Sequence, residues 1–120
     1  MQGPIPIELV KLSNLKTLDL SKNRLGSAIH KEIHYLENLQ IIDLSTNRFT
    51  STLPSEIGLI RGLSTLNVAQ NGISGKFPTE ISILTSLKFI SVEKNLMHGN
   101  LNMIEGLVDL GELFWYFGRH

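Results

Sequence analysis

Cysteine is absent from the 120 residues, which removes a disulfide framework and any thiolate metal site and weighs against a complete secreted domain. No stretch approaches the roughly 18 apolar residues of a membrane helix, and no basic region followed by an apolar run opens the chain. No Asn-x-Ser/Thr acceptor for N-glycosylation occurs. Neither sign of charge is in excess: 11 Lys and Arg balance 11 Asp and Glu, so neither nucleic acid nor an anionic membrane is an expected partner. Motifs that carry chemistry are missing too, whether a phosphate loop, a kinase signature, a nucleophile with its base, or a zinc site. His30 and His34 stand one helical turn apart, but the segment reads HKEIH rather than HExxH and offers no third ligand. No metal, no cofactor and no enzymatic activity is expected.

What the chain does contain is an asparagine that returns every 24 residues, at Asn23, Asn47, Asn71 and Asn95. Apolar columns keep the same period. They include Leu12, Leu36, Ile60 and Leu84; Leu15, Leu39, Leu63 and Leu87; Leu18, Ile42, Leu66 and Ile90; and Leu25, Phe49, Ile73 and Met97. A fixed period of this length marks a repeat solenoid, in which each unit buries its apolar face only against its neighbours.

Within each unit, Leu18-Asp19-Leu20, Ile42-Asp43-Leu44, Leu66-Asn67-Val68 and Ile90-Ser91-Val92 alternate apolar with polar, the pattern of a half-buried strand. These strands are expected to stack in parallel with Asp19, Asp43, Asn67 and Ser91 facing outward. Each ladder asparagine carries two donors and an acceptor, suited to backbone groups freed where the strand turns away. Gly3, Ser27, Ser51, Gly75 and Gly99 share a column read as a tight turn that demands small size. Pro6, Pro54 and Pro78, followed by the column Glu8, Glu32, Glu56 and Glu80, predict a short helical or 3₁₀ turn with a carboxylate at its start.

The signature Leu44-Ser45-Thr46-Asn47 leading to Leu53-Pro54-Ser55-Glu56-Ile57, with Gly75-Lys76-Phe77-Pro78-Thr79-Glu80-Ile81 in the next unit, resembles the plant-type subfamily of leucine-rich repeats. The resemblance covers nearly the whole chain. It implies an α/β-type right-handed superhelix, with a parallel sheet on the concave face and short 3₁₀ turns on the convex face. It also implies a segment of the ectodomain of a receptor-like kinase or receptor-like protein, placed outside the cell or at its surface, that recognises a peptide, protein or glycan. Departures occur: His30 stands where Pro is expected, Ser27 and Ser51 replace Gly, and Asn102-Met103-Ile104 shortens the fifth unit. The expected division of the single domain is a half repeat over 1–11, repeats over 12–35, 36–59, 60–83 and 84–106, and a partial degenerate repeat over 107–120. No capping sequence is recognisable at either end, so a fragment of a longer array is expected, with self-association through the uncapped ends.

Expected ligand contacts are the outward rows of the concave sheet: Thr17, Ile41, Thr65, Phe89 and Glu112; Asp19, Asp43, Asn67, Ser91 and Phe114; and Ser21, Ser45, Ala69, Glu93 and Tyr116. Phe89, Phe114 and Tyr116 converge at one end as candidate anchors. Five strands about 4.8 Å apart and about 15 Å long project on the order of 360 Å². An intracellular scaffold or assembly module, or a truncated array without function, stands as the alternative.

Overall fold

A computed structural model describes residues 1–98. The alternating segments extend, as does the stretch after each ladder asparagine, so each complete coil among the described residues carries two short strands. In chain order they are β1 (Gln2–Gly3), β2 (Thr17–Asp19), β3 (Arg24–Ala28), β4 (Ile41–Asp43), β5 (Arg48–Thr50), β6 (Thr65–Asn67), β7 (Ser74–Lys76), β8 (Phe89–Ser91) and β9 (Leu96–His98).

Strands β2, β4, β6 and β8 form one parallel sheet in that order, and each residue stands beside its equivalent 24 positions on. Leu18, Ile42, Leu66 and Ile90 point inward and are buried, together with Leu25, Leu36, Phe49, Ile60 and Leu84 from other columns. The core therefore runs along the stack as one continuous cluster, each coil supplying the same positions.

A second, lateral sheet was not anticipated from the sequence. It comprises β1-β3-β5 and β7-β9, joined by an isolated bridge between Thr52 and Ser74. Here the register is 22 residues, with Gly26 beside Arg48 and Ser74 beside Leu96. Equivalent residues thus step along the strands by two positions, or about 6.6 Å, from coil to coil.

The small-residue column needs correcting in its physical reason. Gly3, Ser27, Ser51 and Gly75 all have positive φ, at 85°, 63°, 62° and 80°, so the shared demand is left-handed backbone rather than small size. Space is limiting at Gly75, where a Cβ would lie 2.6 Å from Thr52 Cγ2, but at Gly3 a Cβ would meet nothing within 4 Å. A second left-handed column, Lys22, Thr46, Gln70 and Lys94 with φ between 56° and 58°, immediately precedes the asparagines.

Short 3₁₀ turns follow at Ile7–Lys11, Lys31–Tyr35, Ser55–Leu59 and Thr79–Ile83. Pro6, Pro54 and Pro78 sit just before them in extended conformation rather than inside the first turn. His30 adopts the same geometry with φ −67° and ψ 139°, which explains why its coil tolerates the loss of proline. The residue's carbonyl does the capping: Pro6, His30, Pro54 and Pro78 accept from the N–H of Leu9, Ile33, Ile57 and Ile81 at 3.1 to 3.3 Å. Two turns approach closely where Gly58 faces the next coil, since a Cβ there would lie 2.6 Å from the Glu80 carbonyl oxygen.

One apolar column departs from its expected burial at the first coil. Leu12 is 52% exposed although Leu36, Ile60 and Leu84 are fully buried, because its side chain has no complete coil stacked beneath it. Leu9, Leu15 and Leu20 are only partly buried for the same reason, whereas Ile5 is buried.

Candidate functional site

The asparagine ladder fixes the corner between the two sheets. Asn47 Nδ2 donates to the carbonyls of Leu44 and Ser45 in its own coil, at 3.1 and 3.2 Å, and to Leu20 of the preceding coil at 2.9 Å. Its Oδ1 accepts from the Leu25 N–H at 3.0 Å. Asn71 repeats this with Leu44, Val68, Ala69 and the Phe49 N–H, and Asn95 repeats it with Val68, Val92, Glu93 and the Ile73 N–H. At Asn23 the Met1 ammonium group, equivalent in position to the Leu25 N–H, donates to Oδ1 at 2.8 Å. Each amide thereby satisfies both of its own coil's turning carbonyls and ties that coil to its predecessor. Among the described residues no buried side-chain polar atom lacks a partner.

With the corner fixed, β2, β4, β6 and β8 present their outward residues in straight rows. The first row is Thr17, Ile41, Thr65 and Phe89; Thr17 and Ile41 are exposed, Thr65 and Phe89 half-buried. Ile41, 37% exposed, is an aliphatic side chain left open on this face. The second row is Asp19, Asp43, Asn67 and Ser91, graded from exposed through half-buried to buried. Ser91 is thus corrected as an outward contact: it is 4% exposed, and its short side chain spends its hydroxyl on Glu93 Oε1 at 3.4 Å. Glu93 itself is half-buried, and Phe114 and Tyr116 lie outside the described residues.

The acidic residues of the second row carry a role that the outward-row expectation overlooked. Asp19 Oδ1 accepts from both the backbone N–H and the hydroxyl of Ser21, at 3.0 and 2.7 Å. Asp43 makes the same pair of bonds with Ser45, and Asn67 Oδ1 accepts from the Ala69 N–H at 3.1 Å. These local turns end each strand, and the recurring Asp-x-Ser spacing was the signal that could have revealed them. The Ser21 hydroxyl and then its N–H hold the Asp19 carboxyl below its ordinary value, with a smaller contribution from Lys22. One oxygen of each carboxylate is therefore committed to the fold.

A shallow open depression crosses this face, lined by Ser45, Asn67, Ala69, Phe89, Ser91 and Glu93, with Lys22, Thr46 and Gln70 along its rim. It offers hydroxyls, amides, one carboxylate and one ammonium group beside the apolar Ala69 and Phe89, chemistry suited to binding. No group of three or more His, Asp or Glu side chains able to hold a metal occurs among the described residues. No helix among them is long and apolar enough to cross a membrane.

Comparison with known proteins bears on the whole of this architecture. The family model described as a leucine-rich repeat region matches residues 5–114. No curated protein sequence matches the chain significantly. Among solved structures, the ectodomain of the receptor kinase SOBIR1 from Arabidopsis thaliana is 30% identical with a TM-score of 0.89, covering 98% of this chain and 65% of its own. The Arabidopsis receptor kinase HAESA, in complex with the peptide hormone IDA and the co-receptor SERK1, is 31% identical with a TM-score of 0.91, covering 98% of this chain and 20% of its own. The BIR2 ectodomain from Arabidopsis thaliana is 33% identical with a TM-score of 0.80, over 82% of this chain and 52% of its own. The chain thus spans between a fifth and two thirds of the length of these structures. With its ladder, its stacked parallel sheet and its 3₁₀ turns, the chain belongs to the leucine-rich-repeat family, in the plant-type form.

Proposed function

We propose that this chain is a non-catalytic recognition module that binds an extended peptide or protein segment across its concave sheet. The observation that carries the reading is the uninterrupted register of β2, β4, β6 and β8, which lines up Thr17, Ile41, Thr65 and Phe89 as a row perpendicular to the strands. An extended peptide advances about 3.3 Å per residue against a strand spacing of about 4.8 Å, so three ligand residues span two coils and a peptide lying along the row meets successive coils. Asp19 and Asp43 add polar specificity through the carboxylate oxygen that the local turn leaves free, Asn67 through its Nδ2, and Glu93 through its carboxylate. Support comes from HAESA, solved with a peptide hormone and a co-receptor, and from PEPR1, solved with AtPEP1.

Area bounds the contribution of the described coils. Four strands of about 10 Å length project on the order of 200 Å², against roughly 800 Å² per side for a stable protein complex. The contacts made here are then one part of a larger footprint, consistent with repeats over 12–35, 36–59, 60–83 and 84–106 as units of a longer array.

The test is selection of a displayed random-peptide library on the full chain, alongside a glycan array. Peptides should be enriched, and their binding should fall at least tenfold in Ile41→Glu and Thr65→Glu while the melting temperature stays unchanged. Enrichment of glycans alone, or peptide binding indifferent to both substitutions, would refute the reading.

A further inference from the structure

We infer that the lateral sheet, centred on Arg24 and Arg48, is a second docking surface, one that takes an acidic segment of a partner polypeptide. The chain is neutral overall, but its charges are sorted by face. Residues 22–28, 46–52, 70–76 and 94–98, which form the corner and the lateral sheet, hold five of the 11 Lys and Arg (Lys22, Arg24, Arg48, Lys76 and Lys94) and none of the 11 Asp and Glu. All five side chains are exposed. The carboxylates of the described residues lie elsewhere: Glu8, Glu32, Glu56 and Glu80 in the 3₁₀ turns, Glu37 just beyond the second of these turns, and Asp19, Asp43 and Glu93 on the concave side.

Two of the five cations are partly compensated. Lys76 lines a depression shared with Glu56 and Glu80 at the convex border, and Lys22 lies close enough to Asp19 to favour its ionised form. Arg24 and Arg48 have no carboxylate partner among the described residues. The lateral register sets their relation: Arg48 stands beside Gly26, two residues along from Arg24 and one strand across, which puts their Cα atoms about 8 Å apart. That separation lets two guanidinium forks engage two carboxylates of one segment, each as a bidentate pair.

The chemistry of the rest of the face favours polypeptide over other polyanions. Sequence-tolerant binding of single-stranded nucleic acid relies on exposed aromatic side chains for base stacking, and sugar rings are commonly held in the same way. Of Phe, Tyr and Trp these four segments hold Phe49 alone, which is fully buried, and the imidazole of His98 stands beside Lys76, away from the two arginines. Near the arginines stand instead Gln2, Thr46, Thr50 and Thr52, exposed polar side chains on or beside the strands that suit hydrogen bonding to a peptide. This surface meets the concave depression at Lys22 and Thr46, but Arg24 and Arg48 lie outside that depression, so the inference does not depend on the concave ligand.

The experiment titrates the full chain with a fluorescent dodecapeptide of alternating Glu and Ser, and with the same peptide carrying Gln for Glu, reading anisotropy at low and physiological salt. The Glu peptide should bind, weaken at higher salt, and lose at least tenfold in affinity in the Arg24→Gln/Arg48→Gln double variant. A control double variant on the convex side, Lys31→Gln/Arg61→Gln, should bind as the parent does, with melting curves checking that both fold. A third variant, Arg24→Lys/Arg48→Lys, keeps the charge but loses the fork and should be weakened less. Polygalacturonate and a single-stranded oligonucleotide of equal charge serve as competitors. The inference is overturned if the Glu and Gln peptides bind alike, if neither binds, if the control variant loses as much, or if either competitor displaces the peptide at lower charge concentration than the peptide itself.

Discussion

Asn71 Oδ1 accepts a hydrogen bond from the Phe49 backbone N–H at 3.0 Å, across 22 residues of chain, while its Nδ2 reaches back to the Leu44 carbonyl at 2.9 Å. One side chain thus joins a coil to both sheets of the coil before it. Asn71→Ala leaves these backbone groups without partners and should destabilise the fold by about 1 to 3 kcal/mol in denaturant melts. Asn71→Asp keeps the acceptor but sets a carboxylate among carbonyls, and should cost at least as much. Asn67→Ala removes a single local bond to Ala69 and should cost far less.

Neighbouring residues on β4 should behave oppositely. Ile42 is fully buried and Ile41 is 37% exposed. Ile42→Ala should cost about 2 to 5 kcal/mol through lost burial and the cavity left behind, whereas Ile41→Ala should stay within about 1 kcal/mol. Equal losses in thermal melts would overturn the assigned facing of the sheet.

The left-handed column predicts gains as well as losses. Ser27→Gly and Ser51→Gly relieve backbone strain at φ 63° and 62° and should stabilise by about 0.5 to 1 kcal/mol, net of the added freedom of the unfolded chain. Gly75→Ala should destabilise more than Gly3→Ala, because only at Gly75 would the new Cβ collide with Thr52. Gly58→Ala should also destabilise, since the obstacle there is the Glu80 backbone rather than a movable side chain.

Asp19 supplies a pH signature. Its folded pKa is depressed below the ordinary 3.8, so its stabilising contribution is present above that value and is lost as pH falls through the lower folded value. Carboxyl chemical shifts followed by NMR should show this low titration, and Ser21→Ala should raise it toward 3.8 because the Ser21 hydroxyl is the largest cause. An unchanged titration in that variant would sink the assignment.

The first coil exposes apolar surface that later coils cover. Met1 is 64% exposed and Leu12 52%. Leu12→Lys should therefore leave the melting temperature nearly unchanged and reduce concentration-dependent association in sedimentation velocity. Equal association in both proteins would locate self-contact elsewhere.

Sequence alone determined the parts of this protein that repeat. A period of 24 residues with fixed apolar columns leaves one way to bury Leu36, Ile42, Ile60 and Leu66 together, so the stacked sheet and the ladder position follow from pattern. What the pattern could not convey depends on three-dimensional neighbours. The lateral sheet exists because residues 22 apart, not 24, meet there, and a one-dimensional period carries no such offset. Ser27 and Gly75 look like a size requirement until their shared positive φ is seen. Leu12 has the same letter and column as Leu36, yet its burial depends on what stacks beside it. Likewise Asp19 and Ser91 occupy one outward row, but hydrogen bonding and the surrounding surface decide that the first is open and the second is not.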